Sequence, residues 1–128
     1  MPEFDLDRIG AGLPFAASLD ALRDALTRGV AVVQAPPGTG KTTLAPPLVA
    51  NHVAGVGRVI VTQPRRVAVR AAARRLAQLS GTTLGEHVGY AVRGDARTSA
   101  STLVEFVTPG LLVRRLLADP ELTGVAAV

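Results

Sequence analysis

Lys41 is the single lysine among 128 residues, and it lies within Ala35-Pro36-Pro37-Gly38-Thr39-Gly40-Lys41-Thr42-Thr43. The other thirteen cationic side chains are arginine. Glycines just before a Lys-Thr pair suit a phosphate cradle: they let backbone N–H groups approach an anion, and a following helix adds the positive end of its dipole. An ammonium on a flexible stem can follow β- and γ-phosphate oxygens, where a broad planar guanidinium fits poorly. The hydroxyl of Thr42 is the oxygen such a loop offers to Mg²⁺. Residues Pro37, Gly38, Thr39, Gly40, Lys41, Thr42 and Thr43 are therefore the expected nucleotide-binding set, with Lys41 and Thr42 as its chemically active pair. Ala35 occupies the first position of the usual G-x-x-x-x-G-K-[ST] pattern, which works if that residue keeps a negative φ. An ordinary Pro/Gly turn leaves the lone lysine and its two threonines unexplained.

Such a loop needs a strand before it and a helix after it. Val30–Gln34 is a short apolar run, as expected of a strand buried on both faces. A helix should start near Gly40–Lys41 and be interrupted or kinked after about one turn by Pro46 and Pro47, neither of which donates a backbone bond. Upstream, Ser18 is placed to N-cap a helix over Leu19–Arg28 that stops at Gly29. Downstream, Val59–Thr62 reads as a second strand ended by Pro64. Arg65–Leu79 is the strongest helix, closed by Ser80-Gly81, with Val69, Ala72, Leu76 and Leu79 on one face and Arg66, Arg70 and Arg74 on another. Val88–Val92 and Thr102–Val107 read as strands separated by a polar turn, Gly94–Ser101. The second of these alternates, so it should be less buried than the strands at Val30–Gln34 and Val59–Thr62. Leu111–Leu117 is a short helix, and Gly124–Val128 begins another apolar run. This alternation implies a parallel α/β sheet flanked by helices.

Composition sets the outer limits. The apolar fraction of 48% is ample for one core, which must be built mainly from Ala, Val and Leu because aromatics are only 3%. Without cysteine there is no disulfide or thiolate metal site. No apolar run approaches the roughly 20 residues of a membrane helix, and acids rather than bases come first, so a soluble cytoplasmic chain is expected. The net charge of +4 is unevenly spread, for residues 25–85 carry eight cationic side chains and no acid. That stretch suits phosphate groups of a nucleotide, a nucleic acid or both. His52 and His87 have no partners at metal-ligand spacing.

Four segments in order carry a resemblance. APPGTGKTT at Ala35–Thr43 resembles motif I of superfamily 2 helicases, in the form used by the DEAH-box group. TQPRRVAV at Thr62–Val69 is similar to that group's motif Ia, VGYAVR at Val88–Arg93 to its next landmark, and VTPG at Val107–Gly110 to motif Ib. The double proline and the segment DPELTGVAAV resemble those of bacterial HrpB-type ATP-dependent helicases. The resemblance runs from about Leu13 to Val128 and implies a P-loop NTPase, RecA-like sheet, with residues 1–17 as an extension and 18–128 as the first RecA-like domain up to its Walker B motif.

By the same resemblance the ligands are ATP, Mg²⁺ held through Thr42, and the backbone of single-stranded RNA or DNA. Arg65, Arg66, Thr108 and Gly110 would line the nucleic-acid path, and Arg74 or Arg75 would flank the adenine. Arg70, Arg114 and Arg115 read instead as solvated helix faces. The family's acidic D-E-x-H motif follows the strand begun at Gly124–Val128, so these residues alone should bind nucleotide without turning it over. Two other readings stay open: another P-loop NTPase or small-molecule kinase, and a non-catalytic nucleotide- or nucleic-acid-binding module.

Overall fold

A computed structural model describes residues 3–128. Helices α1 (Leu6–Ile9), α2 (Leu19–Leu26), α3 (Lys41–His52), α4 (Arg66–Ser80) and α5 (Pro109–Ala118) accompany strands β1 (Arg58–Thr62), β2 (Val88–Val92), β3 (Asp95–Arg97), β4 (Val104–Val107) and β5 (Val125–Ala127). The sheet order is β3-β2-β4-β1-β5. β2, β4, β1 and β5 run parallel, while β3 returns antiparallel along β2. Alternation along the strands sorts the core. Val59, Val88, Tyr90, Val104 and Phe106 face the side covered by α1 to α4. Ile60, Ala91 and Val107 face the other side, where Leu111 and Leu112 of α5 pack.

Helix α4 forms where its period required it. Val69, Ala73, Leu76 and Ala77 are buried, and Gly81 ends the helix at φ 72°. The Thr82 amide reaches back to Ala77 O at 3.1 Å, satisfying one of the carbonyls a helix end leaves free. The N-terminal segment joins the same core through Phe4, Ile9 and Phe15. Phe4 also exchanges two backbone hydrogen bonds with the side-chain amide of Asn51, at 2.8 and 2.9 Å.

Several expectations are corrected. Val30–Gln34 is not a strand, and among the described residues none of its backbone groups is hydrogen-bonded to another backbone group. A strand exists only by pairing, and this segment runs beside the sheet with Val30 79% and Val32 95% exposed. Between it and the β1–β5 edge lies an open groove of about 480 Å³ walled by Leu22, Leu26, Val49 and Ala127. Helix α3 continues through Pro46 and Pro47 as one element, because both rings are buried with Leu44 and Leu48 in the core. Their packing outweighs a cost of about 3 kcal/mol for a proline inside a helix. Ser18 makes no capping bond: a 3₁₀ turn over Pro14–Ser18 leads straight into α2.

Within Gly94–Ser101 the structure has β3 rather than turn alone. β4 is fully buried, contrary to its alternating pattern, because Glu105 is sheltered by two arginines. Arg115 Nη1 and Nη2 donate to its two carboxylate oxygens at 2.8 and 2.7 Å, and Arg58 Nη1 donates at 3.0 Å. Burial pushes the carboxyl's pKa up, but hydrogen bonds and charge from Arg115, then Arg58, outweigh it and hold it below the usual glutamate range. Arg115 is thus no solvated bystander. Neither is Arg70, whose Nε donates to Asp95 at 3.1 Å. The Tyr90 hydroxyl donates to the same oxygen at 2.7 Å, and chiefly for that reason Asp95 titrates lower than an ordinary aspartate.

Candidate functional site

The loop ahead of α3 bends through two left-handed glycines, Gly38 at φ 78° and Gly40 at φ 100°. Any other residue would be strained at either position. Gly40 caps α3 without a side chain, its carbonyl accepting from Thr43 N at 3.2 Å and Leu44 N at 2.9 Å. The loop is tied across itself as well. Thr39 Oγ1 donates to Pro36 O at 2.9 Å, and Lys41 Nζ donates to Ala35 O at 3.0 Å. Pro37, Gly38, Thr39, Gly40, Lys41, Thr42 and Thr43 together line an open cavity of about 440 Å³. The remaining wall is Leu13, a residue that pattern reading of the loop missed. Among the described residues no carboxylate lines this cavity.

The residues expected to meet nucleic acid lie elsewhere. Thr108 and Gly110 line a shallow cleft of about 270 Å³ with Arg93, Leu111 and Arg114. Arg66 joins this cluster through Nη2, which donates to Arg93 O at 2.7 Å. Arg65 is exposed at the N-cap of α4, and among the described residues its side chain makes no hydrogen bond. Arg93 and Arg114 were not singled out by sequence for this place. One signal was available, since Arg114 follows Gly110 by four residues and shares its helix face. Arg74 and Arg75 are exposed along α4, and among the described residues no group of three potential metal-ligating side chains exists.

The described residues form a largely parallel sheet flanked by helices, with a glycine-rich loop opening one of them, which is the α/β architecture of RecA-like folds. The ATP-dependent RNA helicase HrpB of Escherichia coli (strain K12) is 40% identical over 119 residues, which cover 92% of this chain and 15% of that protein. Two solved structures agree. The crystal structure of the Escherichia coli DEAH/RHA helicase HrpB matches with a TM-score of 0.79 at 38% identity, and that of the E. coli DExH-box NTPase HrpB with 0.76 at 39%. Each match covers 91% of this chain and 15% of the solved one. No protein-family model matches. By sequence and fold the chain belongs with the HrpB-type DEAH-box helicases, spanning about 15% of their length.

Proposed function

We propose that this chain is the ATP-binding part of an ATP-dependent helicase whose full length couples ATP hydrolysis to movement along RNA or DNA. The observation that carries this reading is the loop: two left-handed glycines, a helix N-terminus and the lone lysine share one cavity. Backbone N–H groups from Gly38 to Thr42 surround the β-phosphate, and Lys41 bridges β- and γ-phosphate oxygens. The chemistry of the donor set fits Mg²⁺ as well as ATP. The exposed Thr42 hydroxyl would hold the ion as one oxygen ligand. Bound Mg²⁺ neutralises phosphate charge; this chain's part is to hold and orient the nucleotide. Binding of ATP and ADP to the full 128-residue chain, measured calorimetrically with Mg²⁺, tests the reading, and no detectable binding would sink it.

Turnover is a separate expectation. Hydrolysis needs an acid to hold Mg²⁺ and orient water, and none lines the cavity among the described residues. Purified chain should therefore release phosphate no faster than a buffer blank, even with single-stranded nucleic acid present. Robust release would mean that the acids have been misplaced.

The cleft of Thr108, Gly110 and Arg66 suits the sugar-phosphate backbone, which gives salt-sensitive binding with little sequence preference. Arg65→Ala and Arg66→Ala should each weaken binding to unrelated single strands alike and lower the salt slope by roughly 0.7. Fluorescence anisotropy across a salt series reads both effects. A loss confined to one sequence would argue against backbone contact.

A further inference from the structure

The N-terminal segment touches the loop at two points. The Phe15 amide donates to Thr39 O at 2.8 Å, and Leu13 lies against Gly40 so closely that a methyl group there would sit 3.0 Å from Leu13 Cδ1. The segment is itself anchored. Phe15 is 3% exposed, the Leu13 amide donates to Gly10 O at 2.9 Å, and Gly10 lies against Leu44 in the first turns of α3. A peptide unit is planar and trans, so its C=O and N–H point in opposite directions. With Thr39 O turned to Phe15, the Gly40 N–H of the same unit is turned away from Phe15, and Gly40 lines the cavity while Phe15 does not. Glycine at φ 100° could otherwise rotate this unit readily.

We infer that Leu13 and the Phe15 amide are positioning groups for phosphate binding: they hold the Thr39–Gly40 peptide so that the Gly40 N–H faces the phosphates. This rests on the nucleotide reading given above. It assigns to the segment before α2 a part in ligand affinity as well as in core packing. The Phe15 amide is engaged by Thr39 O and lies outside the cavity, while Leu13 walls the cavity beside Gly40; both act on the loop through Gly40. Leu13 blocks rotation by contact, and Phe15 sets direction by its hydrogen bond. A hydrogen bond of ordinary strength, once lost, changes an equilibrium by about fivefold.

The test compares three forms of the full chain with the wild type: Leu13→Ala, Leu13→Met, and phenyllactate at position 15. The last replaces the Phe15 amide by an ester, deleting the donor and keeping the buried ring. Mg-ADP and inorganic pyrophosphate are the probes, because pyrophosphate reads the loop without base or ribose. Melting temperature is followed in parallel. The expected result is about fivefold weaker binding of both probes by Leu13→Ala and by the ester, with the Leu13→Met form restored to near wild type. A purely structural segment would lower melting temperature and leave both affinities unchanged, which overturns the inference while the nucleotide reading stands. Wild-type chain that binds neither probe overturns the nucleotide reading and this inference with it. Should Leu13→Ala fail to fold, the ester form decides alone.

Discussion

Lys41→Ala in the full chain should lose ATP and ADP binding by about a hundredfold or more, which leaves it undetectable in most titrations. Charge-assisted hydrogen bonds to phosphate are worth about 1.5–3 kcal/mol each, and one ammonium reaching two phosphates loses two. The fold should survive, because the hydrogen bond that the side chain makes is to Ala35 O at 3.0 Å. Melting temperature within about 2 °C of wild type would show that the loss is local. Lys41→Arg should not restore affinity, since a planar fork cannot enter a loop that closes over a compact ammonium. Wild-type affinity in the alanine variant would remove the loop from consideration as a phosphate site.

Glu105→Ala should cost about 2–3 kcal/mol of stability, or about 10 °C of melting temperature for a domain of this size. The carboxylate is 1% exposed and accepts three hydrogen bonds from two arginines. Removing it strands two charges, although Arg58 at 26% and Arg115 at 35% exposure keep some water and moderate the penalty. The pH dependence has a definite sign. Its folded pKa lies below the ordinary glutamate value, so its contribution is complete above that value and fades as pH falls through the folded one. Thermal melts of wild type and Glu105→Gln should therefore diverge most at neutral pH and converge in acid. A constant gap down to pH 3 would show that the carboxylate charge contributes nothing.

Elements with a complete local signature were legible in sequence. α4 carried its own apolar face and a glycine stop, and β2 was an unbroken apolar run. Where a residue's state depends on distant partners, the pattern misled. Val30–Gln34 has strand composition, yet pairing requires an edge within reach of its backbone. Glu105 looked like the polar face of a half-exposed strand, because nothing local announces that Arg58 and Arg115 will converge on it. Pro46 and Pro47 marked a break by propensity, which a buried position overrode.

The proposed phosphate loop was readable as one wall of a cavity because its residues are contiguous: glycines, lysine and threonine line the cavity together. Its brace was not. The contact between Phe15 and Thr39 runs from backbone to backbone, so neither side chain advertises it. The cleft at Thr108 and Gly110 was half visible, since motif residues named two of its walls and the antiparallel return of β3 positioned Arg93.

The sole lysine also makes the loop chemically addressable. Apart from the α-amino group, Nζ of Lys41 is the one primary amine in the chain, and it stands at the wall of the cavity. An amine-selective acylating or alkylating reagent thus marks one side chain without any engineering, its other target being the α-amino group on a separate tryptic peptide. The arginines, thirteen in number, stay untouched by that reagent. One mass increment on one tryptic peptide then reports whether the cavity is open, and a bound polyphosphate is read as protection of one nitrogen.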